Sequence, residues 1–226
     1  MSEFTHEKCS CFSPDPHPIF SLLENSDSSL QNCSGKLELS ANEQVLSQGE
    51  HVKGVYTILS GKVKVHALGE SGKDQIIRFS KRGDVLGFRT LLSDQSLGVS
   101  ATTLEPTTLC LIDKESFKEM MKNETFRNRV LLELAKDLSH MVGALTGMAQ
   151  KSVRSRLCSA LILLQDLYGD DPINLSREDL ANYVGTASES VIRMLSEMKN
   201  DALLEIKGRK IKVIDVQALE KMSLYS

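Results

Sequence analysis

Between residues 36 and 112 short apolar segments alternate with glycines, namely Gly49, Gly54, Gly61, Gly69, Gly72, Gly83, Gly87 and Gly98. Segments 55–59 and 62–66 flank Ser60-Gly61, and Val63 and Val65 alternate with polar residues. The loop 69–72 leads into a third segment, 75–79. Short strands at this spacing predict an antiparallel sandwich or barrel. After Asp113 the glycines thin out and helical spacing takes over. Leu131, Leu134, Leu138, Met141, Leu145 and Met148 follow one another at alternating steps of three and four, the a and d positions of a heptad seam. Glu133, Lys136, Asp137 and His140 occupy the opposite face. Such a seam can pack on its own sheet, but its length and regularity favour a helix pair across a homodimer. A second helix is expected over about 152–167, before Gly169-Asp170-Asp171-Pro172.

The stretch 175–214 changes the picture from packing to function. Ser176 with Asp179 three residues on is a capping-box-like start, and the short helix 177–183 ends at Val184-Gly185, where glycine suits a tight interhelical turn. Thr186 and Glu189 repeat the capping spacing at the head of a helix running to about 199. That helix turns Val191, Met194, Leu195 and Met198 inward and Ser188, Glu189, Ile192, Arg193 and Glu197 outward. Segments 203–206 and 210–214 flank Lys207-Gly208-Arg209 as a hairpin wing. Helix, turn, helix and wing predict a winged helix–turn–helix whose second helix enters a DNA major groove.

Charge sharpens this reading. The 226 residues carry 27 Lys plus Arg against 30 Asp plus Glu, net −3. That excludes a nonspecific polyelectrolyte coat but not a sequence reader with localised charge. Residues 151–226 hold 11 basic and 11 acidic groups, so the acidity lies in the first 150 residues. In the wing Lys207, Arg209, Lys210 and Lys212 face Glu205 alone, and Lys151, Arg154 and Arg156 form a second basic group suited to phosphates. Apolar residues make up 41% and charged residues 25%, as in globular proteins. No apolar run approaches the roughly 18–20 residues that span a bilayer, and 1–13 lacks the features of a signal peptide. A cytoplasmic protein with reduced cysteines is therefore expected. The five cysteines contain no C-x-x-C, which argues against a zinc finger or a disulfide framework.

The residues Ser176-Arg177-Glu178-Asp179-Leu180-Ala181, then Gly185, then Glu189-Ser190-Val191-Ile192-Arg193-Met194-Leu195 resemble the DNA-binding signature of the Crp–Fnr transcription regulators. Ile58-Leu59-Ser60-Gly61-Lys62-Val63 and Gly83-Asp84-Val85-Leu86-Gly87 are similar to that family's β-roll turns, and the resemblance extends over nearly the whole chain from about Ile19. It implies an α+β protein: a mobile lead (1–18), a cupin-like antiparallel β-roll sensor (19–122), a dimerisation helix (123–150) and a winged helix–turn–helix (151–226). It also implies double-stranded DNA, a second copy of the chain and RNA polymerase as partners, and no membrane. By resemblance Ser188, Glu189, Ile192 and Arg193 read bases. Arg can donate twice to guanine and Glu can accept from cytosine. Ser188 stands where cyclic-AMP receptors carry Arg, so their half-site does not carry over. Ser176, Arg177, Thr186 and Ser190 match phosphate-contact positions, joined by Lys207, Arg209 and Lys210 of the wing.

The effector pocket implied by the resemblance involves Gly87, Phe88, Val99 and Ser100. The Gly-Glu and Arg-Ser pairs that hold cyclic AMP are absent, and the facing helix positions, Met141 and Val142, are apolar. An anionic phosphodiester would lack its charge-assisted partners, so cyclic AMP is not expected. Gly87-Phe88 and Cys110 also resemble the oxygen-sensing branch with its four-cysteine iron–sulfur cluster. Cys9, Cys11, Cys33 and Cys110 would be the ligands, but Cys9 and Cys11 have one intervening residue and not two, and the expectation is that Cys33, Cys110 and Cys158 are buried structural thiols, without a metal or cofactor. Cys9 and Cys11 are left as a candidate redox pair. Rival readings are a cupin-type enzyme, opposed by a roll holding only His51 and His66 without an H-x-H pair, and a cyclic-nucleotide-binding-like regulatory module without DNA activity, which leaves the wing unexplained. The reading is a homodimeric DNA-binding regulator, not an enzyme, whose activity responds to an effector or redox signal in the roll.

Overall fold

The alternation Lys62-Val63-Lys64-Val65 becomes a strand with both valines buried and both lysines at the rim. Among the described residues it is one of eight strands in the N-terminal half: β1 (Gly35–Leu39), β2 (Gln44–Leu46), β3 (Gly54–Ser60), β4 (Lys62–Leu68), β5 (Asp74–Lys81), β6 (Val85–Leu86), β7 (Ser100–Thr103) and β8 (Thr107–Asp113). A computed structural model describes residues 33–70 and 72–224. The expected lead (1–18) and the Cys9/Cys11 pair lie outside the described residues. The strands form two antiparallel four-stranded sheets, ordered β1-β8-β3-β6 and β2-β7-β4-β5. Ile58, Val63, Val65, Leu86 and Leu109 fill the core between them. The β3–β4 turn requires Gly61. Its φ is 91°, and a Cβ there would collide with Thr107. A short helix, α1 (Phe88–Ser93), follows Gly87.

After α2 (Lys114–Met120), capped by Asp113, the 27-residue α3 (Glu124–Gln150) begins at Asn123, whose side chain accepts from the Phe126 N–H at 3.0 Å. One side of α3 packs on the roll: Phe126, Val130 and Glu133 are buried and Leu134 is half-buried. The face carrying Glu133 and Asp137 therefore meets protein. The other side leaves Leu131, Leu138, Met141 and Leu145 exposed, Leu145 to 72%.

The C-terminal head holds α4 (Val153–Tyr168), β9 (Ile173–Asn174), α5 (Arg177–Val184), α6 (Ser188–Asn200), β10 (Leu204–Lys207), β11 (Lys210–Val213) and α7 (Val216–Leu224). Its sheet runs β10-β11-β9. Leu157, Leu161, Leu180, Val191 and Leu195 form its core, and Ile76 and Phe79 of β5 belong to the same buried cluster. The roll and head thus share apolar packing. An ion pair, a ring pair and a cation–π contact reinforce it: Lys64 Nζ lies 2.5 Å from Asp179 Oδ1, the Phe79 and Tyr183 ring centroids are 4.9 Å apart, and Lys62 Nζ sits 4.7 Å above the Tyr168 ring.

One expectation fails here. Cys33 and Cys110 are not separate thiols but a disulfide, with Cα atoms 5.7 Å apart. The cause is register: β1 pairs with β8 so that Lys36 faces Cys110 and Gly35 faces Leu111, which draws the chain entering β1 alongside Cys110. Cys158 is the buried free thiol among the described residues.

Candidate nucleic-acid interface

The reading surface is built on α5, α6 and the β10–β11 wing. Ser176 caps α5: its Oγ accepts from the Asp179 N–H at 2.9 Å and donates to the Asp179 carboxylate at 2.6 Å. Gly185 ends α5 with φ 74°. A Cβ at Gly185 would also lie 3.2 Å from Met148 Sδ at the end of α3, so glycine serves both the turn and a close approach. The expected second capping box is not formed. Ala187 is the N-cap of α6 and supplies no side-chain bond. Instead the Thr186 carbonyl accepts from Lys73 Nζ of the roll at 2.9 Å.

Val191, Met194, Leu195 and Met198 bury the inner face of α6. Glu189, Ile192 and Arg193 stand exposed on the outer face, and among the described residues neither Glu189 nor Arg193 makes an ion pair. Arg193 and Glu197 are therefore not partnered, because Glu197 accepts from Arg154 Nη1 at 2.6 Å. Ser188 and Ser190 are half-buried, and Ser188 lines a cleft with Gly72, Lys73 and Asp74 of the β4–β5 hairpin and with Asn182. The four base-reading candidates thus divide: three are open, while Ser188 adjoins the roll.

The phosphate candidates also divide. Lys207, Arg209 and Lys210 are exposed along the wing. Arg177 is tied to that wing, donating to the carbonyls of Arg209 at 3.2 Å and Gly208 at 3.3 Å, and burial and Arg209 lower its pKa. The second basic group is not free for phosphate. Arg154 also approaches Asp201, Lys151 Nζ meets the Ser159 hydroxyl at 3.3 Å, and among the described residues the Arg156 guanidinium donates only to backbone carbonyls.

The effector-pocket candidates fall into two clusters. Phe88 is buried with Cys110, Phe117, Phe126 and Val130. Val99 packs with the inter-sheet core, and Ser100 is buried with its Oγ accepting from the Gln48 N–H at 3.0 Å. Sequence reasoning missed the charges beside them. Arg89 on α1 reaches Asp137 of α3 at 3.4 Å, and burial, then Arg78, lower the Arg89 pKa. Burial raises the Asp84 pKa, opposed by Arg78 and Lys81. The available signal was Arg89 directly following Gly87-Phe88. Among the described residues no cluster of His, Cys, Asp and Glu could hold a metal, and no helix is long and apolar enough to cross a membrane.

Residues 36–124 match the cyclic nucleotide-binding domain family, and residues 155–222 match the Crp-like helix-turn-helix domain family. The electron transport regulator A of Shewanella oneidensis is 24% identical over 196 residues, covering 83% of this chain and 78% of its own length. The fumarate and nitrate reduction regulatory protein of Vibrio cholerae is also 24% identical over 196 residues, with the same coverage. In fold, the chain is similar to FixK2 of Bradyrhizobium japonicum, with TM-score 0.77 and 23% identity over 85% of this chain and 98% of that one. A CRP/FNR-family regulator of Thermus thermophilus gives TM-score 0.72 at 18% identity, over 84% and 98%. With a cyclic nucleotide-binding fold followed by a Crp-like helix–turn–helix, the chain belongs to the Crp–Fnr family of DNA-binding transcription regulators, which are not enzymes.

Proposed function

We propose that two copies pair along the exposed stripe of α3 and bind a near-palindromic duplex, with one α6 in each of two successive major grooves about 34 Å apart. The observation that carries this reading is the open row Glu189, Ile192 and Arg193 on α6, with no competing ion pair at Glu189 or Arg193 among the described residues. Arg193 reads guanine, Glu189 reads cytosine and Ile192 meets a thymine methyl. Ser188 reads only when the hairpin withdraws. Ser176, Thr186 and Ser190 position the DNA backbone, Arg177 acts through the wing whose Gly208 and Arg209 carbonyls it holds, and Lys207, Arg209 and Lys210 supply the salt-dependent attraction. The stripe Leu131, Leu138, Met141, Leu145 and Met148 forms the dimer seam, with Leu134 turned partly to the roll.

The signal enters through the roll. Relatives named as electron-transport and fumarate–nitrate regulators support a redox-linked signal, and Cys33–Cys110 is its candidate site. Two electrons and two protons from a thiol reductant convert it to two thiols beside Phe126 and Val130 of α3. RNA polymerase is the remaining partner, and the cytoplasm the compartment where it and chromosomal DNA are met. Selection of bound duplexes from a random pool, with and without reductant, tests the reading. A near-palindrome whose enrichment changes with reductant supports it. Enrichment of no sequence under either condition overturns it.

A further inference from the structure

We propose that Arg156 is the positioning residue of a joint that fixes the reading head to the end of α3, and thereby sets which half-site spacing the dimer accepts. The proposal rests on the homodimeric reading above. Arg156 lies in the first turn of α4 and is half-buried. Nε donates to the Val184 carbonyl at 2.9 Å, Nη1 to the Lys151 carbonyl at 2.8 Å and Nη2 to the Gly185 carbonyl at 3.4 Å. Lys151 is the C-cap of α3, Val184 is the last residue of α5, and Gly185 is the turn into α6. One cation therefore caps two helix C-termini, where carbonyls lack intrahelical partners and the helix dipole is negative. Neither α3 nor α5 has a basic residue in its own last turn. Met148 packs against the same turn, closing the joint from the α3 side.

The geometry decides between two roles for this arginine. Among the described residues its Nε, Nη1 and Nη2 all donate to backbone carbonyls, so it offers no free fork to a phosphate, and its removal should leave the salt dependence of binding alone. What its removal loosens is the angle between α3 and the α5–α6 turn. In a dimer that angle fixes the distance between the two copies of α6. A rigid pair of heads fits one spacing. Heads on a slack joint fit several, each with less benefit from the second contact. Lysine cannot substitute, because a single ammonium cannot span three divergent carbonyls as a planar guanidinium does.

The test uses the full-length dimer and duplexes carrying two selected half-sites at varied separation. The wild type should prefer one separation by about tenfold over its neighbours, a coupling of the size that a packed joint carries. Arg156→Gln and Arg156→Lys should both narrow that preference to about twofold, with base preference within each half-site and the salt slope unchanged. Arg156→Lys keeps the charge and is the variant to read if Arg156→Gln fails to fold. Wild-type spacing preference in Arg156→Lys overturns the proposal, as does a salt slope reduced by about one with spacing preference intact, which would mark a phosphate contact. Loss of half-site base preference together with a lowered Tm would mark a purely structural residue and also overturn it. A wild type that reads one half-site with no spacing optimum would instead overturn the dimeric reading itself, and the joint with it.

Discussion

Arg193 and Lys210 are both exposed cations on one head, yet the fold gives them different work. Arg193 projects from the outer face of α6, whereas Lys210 begins β11 in the wing. Arg193→Ala is expected to cost about 1–3 kcal/mol on the selected site and to relax the choice at one base pair. Lys210→Ala should weaken all duplexes alike and reduce the salt slope by about one. Binding isotherms at several salt concentrations, on specific and scrambled duplexes, separate the two. Identical behaviour would mean that reader and phosphate contact have been sorted wrongly. At this scale sequence patterning was informative for α6, because inward and outward positions follow from a period of 3.6. It could not assign Arg154 or Arg156, whose partners Glu197 and Val184 lie 43 and 28 residues away.

Among the elements, α3 was the most legible, since a heptad stripe is a local property of the chain. The side toward the roll was harder to read, because Glu133 and Asp137 are polar and still face protein. Leu138 is 64% exposed, so Leu138→Glu should leave the single-chain fold intact while placing a charge in the seam. Sedimentation should then show a monomer, and affinity for the two-half-site duplex should fall toward that of one half-site. β1 and β8 carry the opposite lesson. Glycine punctuation located the strands, but the Cys33–Cys110 disulfide depends on a register set across 77 residues. Closing a loop of that length contributes about 4.5 kcal/mol at most in the chain-entropy account. Cys33→Ser should lower the denaturation midpoint in oxidising buffer and leave it nearly unchanged in reductant, measured as paired urea titrations.

For the molecule as a whole, the contact between roll and head was not legible in the sequence at all. Lys64 and Asp179 are 115 residues apart, and neither belongs to a periodic pattern that names the other. Tyr168 offers a probe of that contact. Its hydroxyl donates to the Asn174 carbonyl at 3.2 Å, its ring lies under Lys62, and burial, then Glu105, push its pKa up to about 12. The unfolded phenol ionises near its ordinary value of about 10. The folded pKa is the higher, so the contribution to stability is complete below about pH 10 and is lost as pH rises toward 12. Tyr168→Phe should flatten that alkaline decline, followed by urea midpoints from pH 9 upward.

Ile76 and Phe79 give this contact a further property. They are side chains of the roll buried in the core of the head, so any swing of the head away from β5 wets them. Wetting apolar surface raises heat capacity, and its free-energy cost changes with temperature. The balance between docked and released heads is therefore curved in temperature as well as responsive to a signal, and cooling weakens the hydrophobic hold on the head.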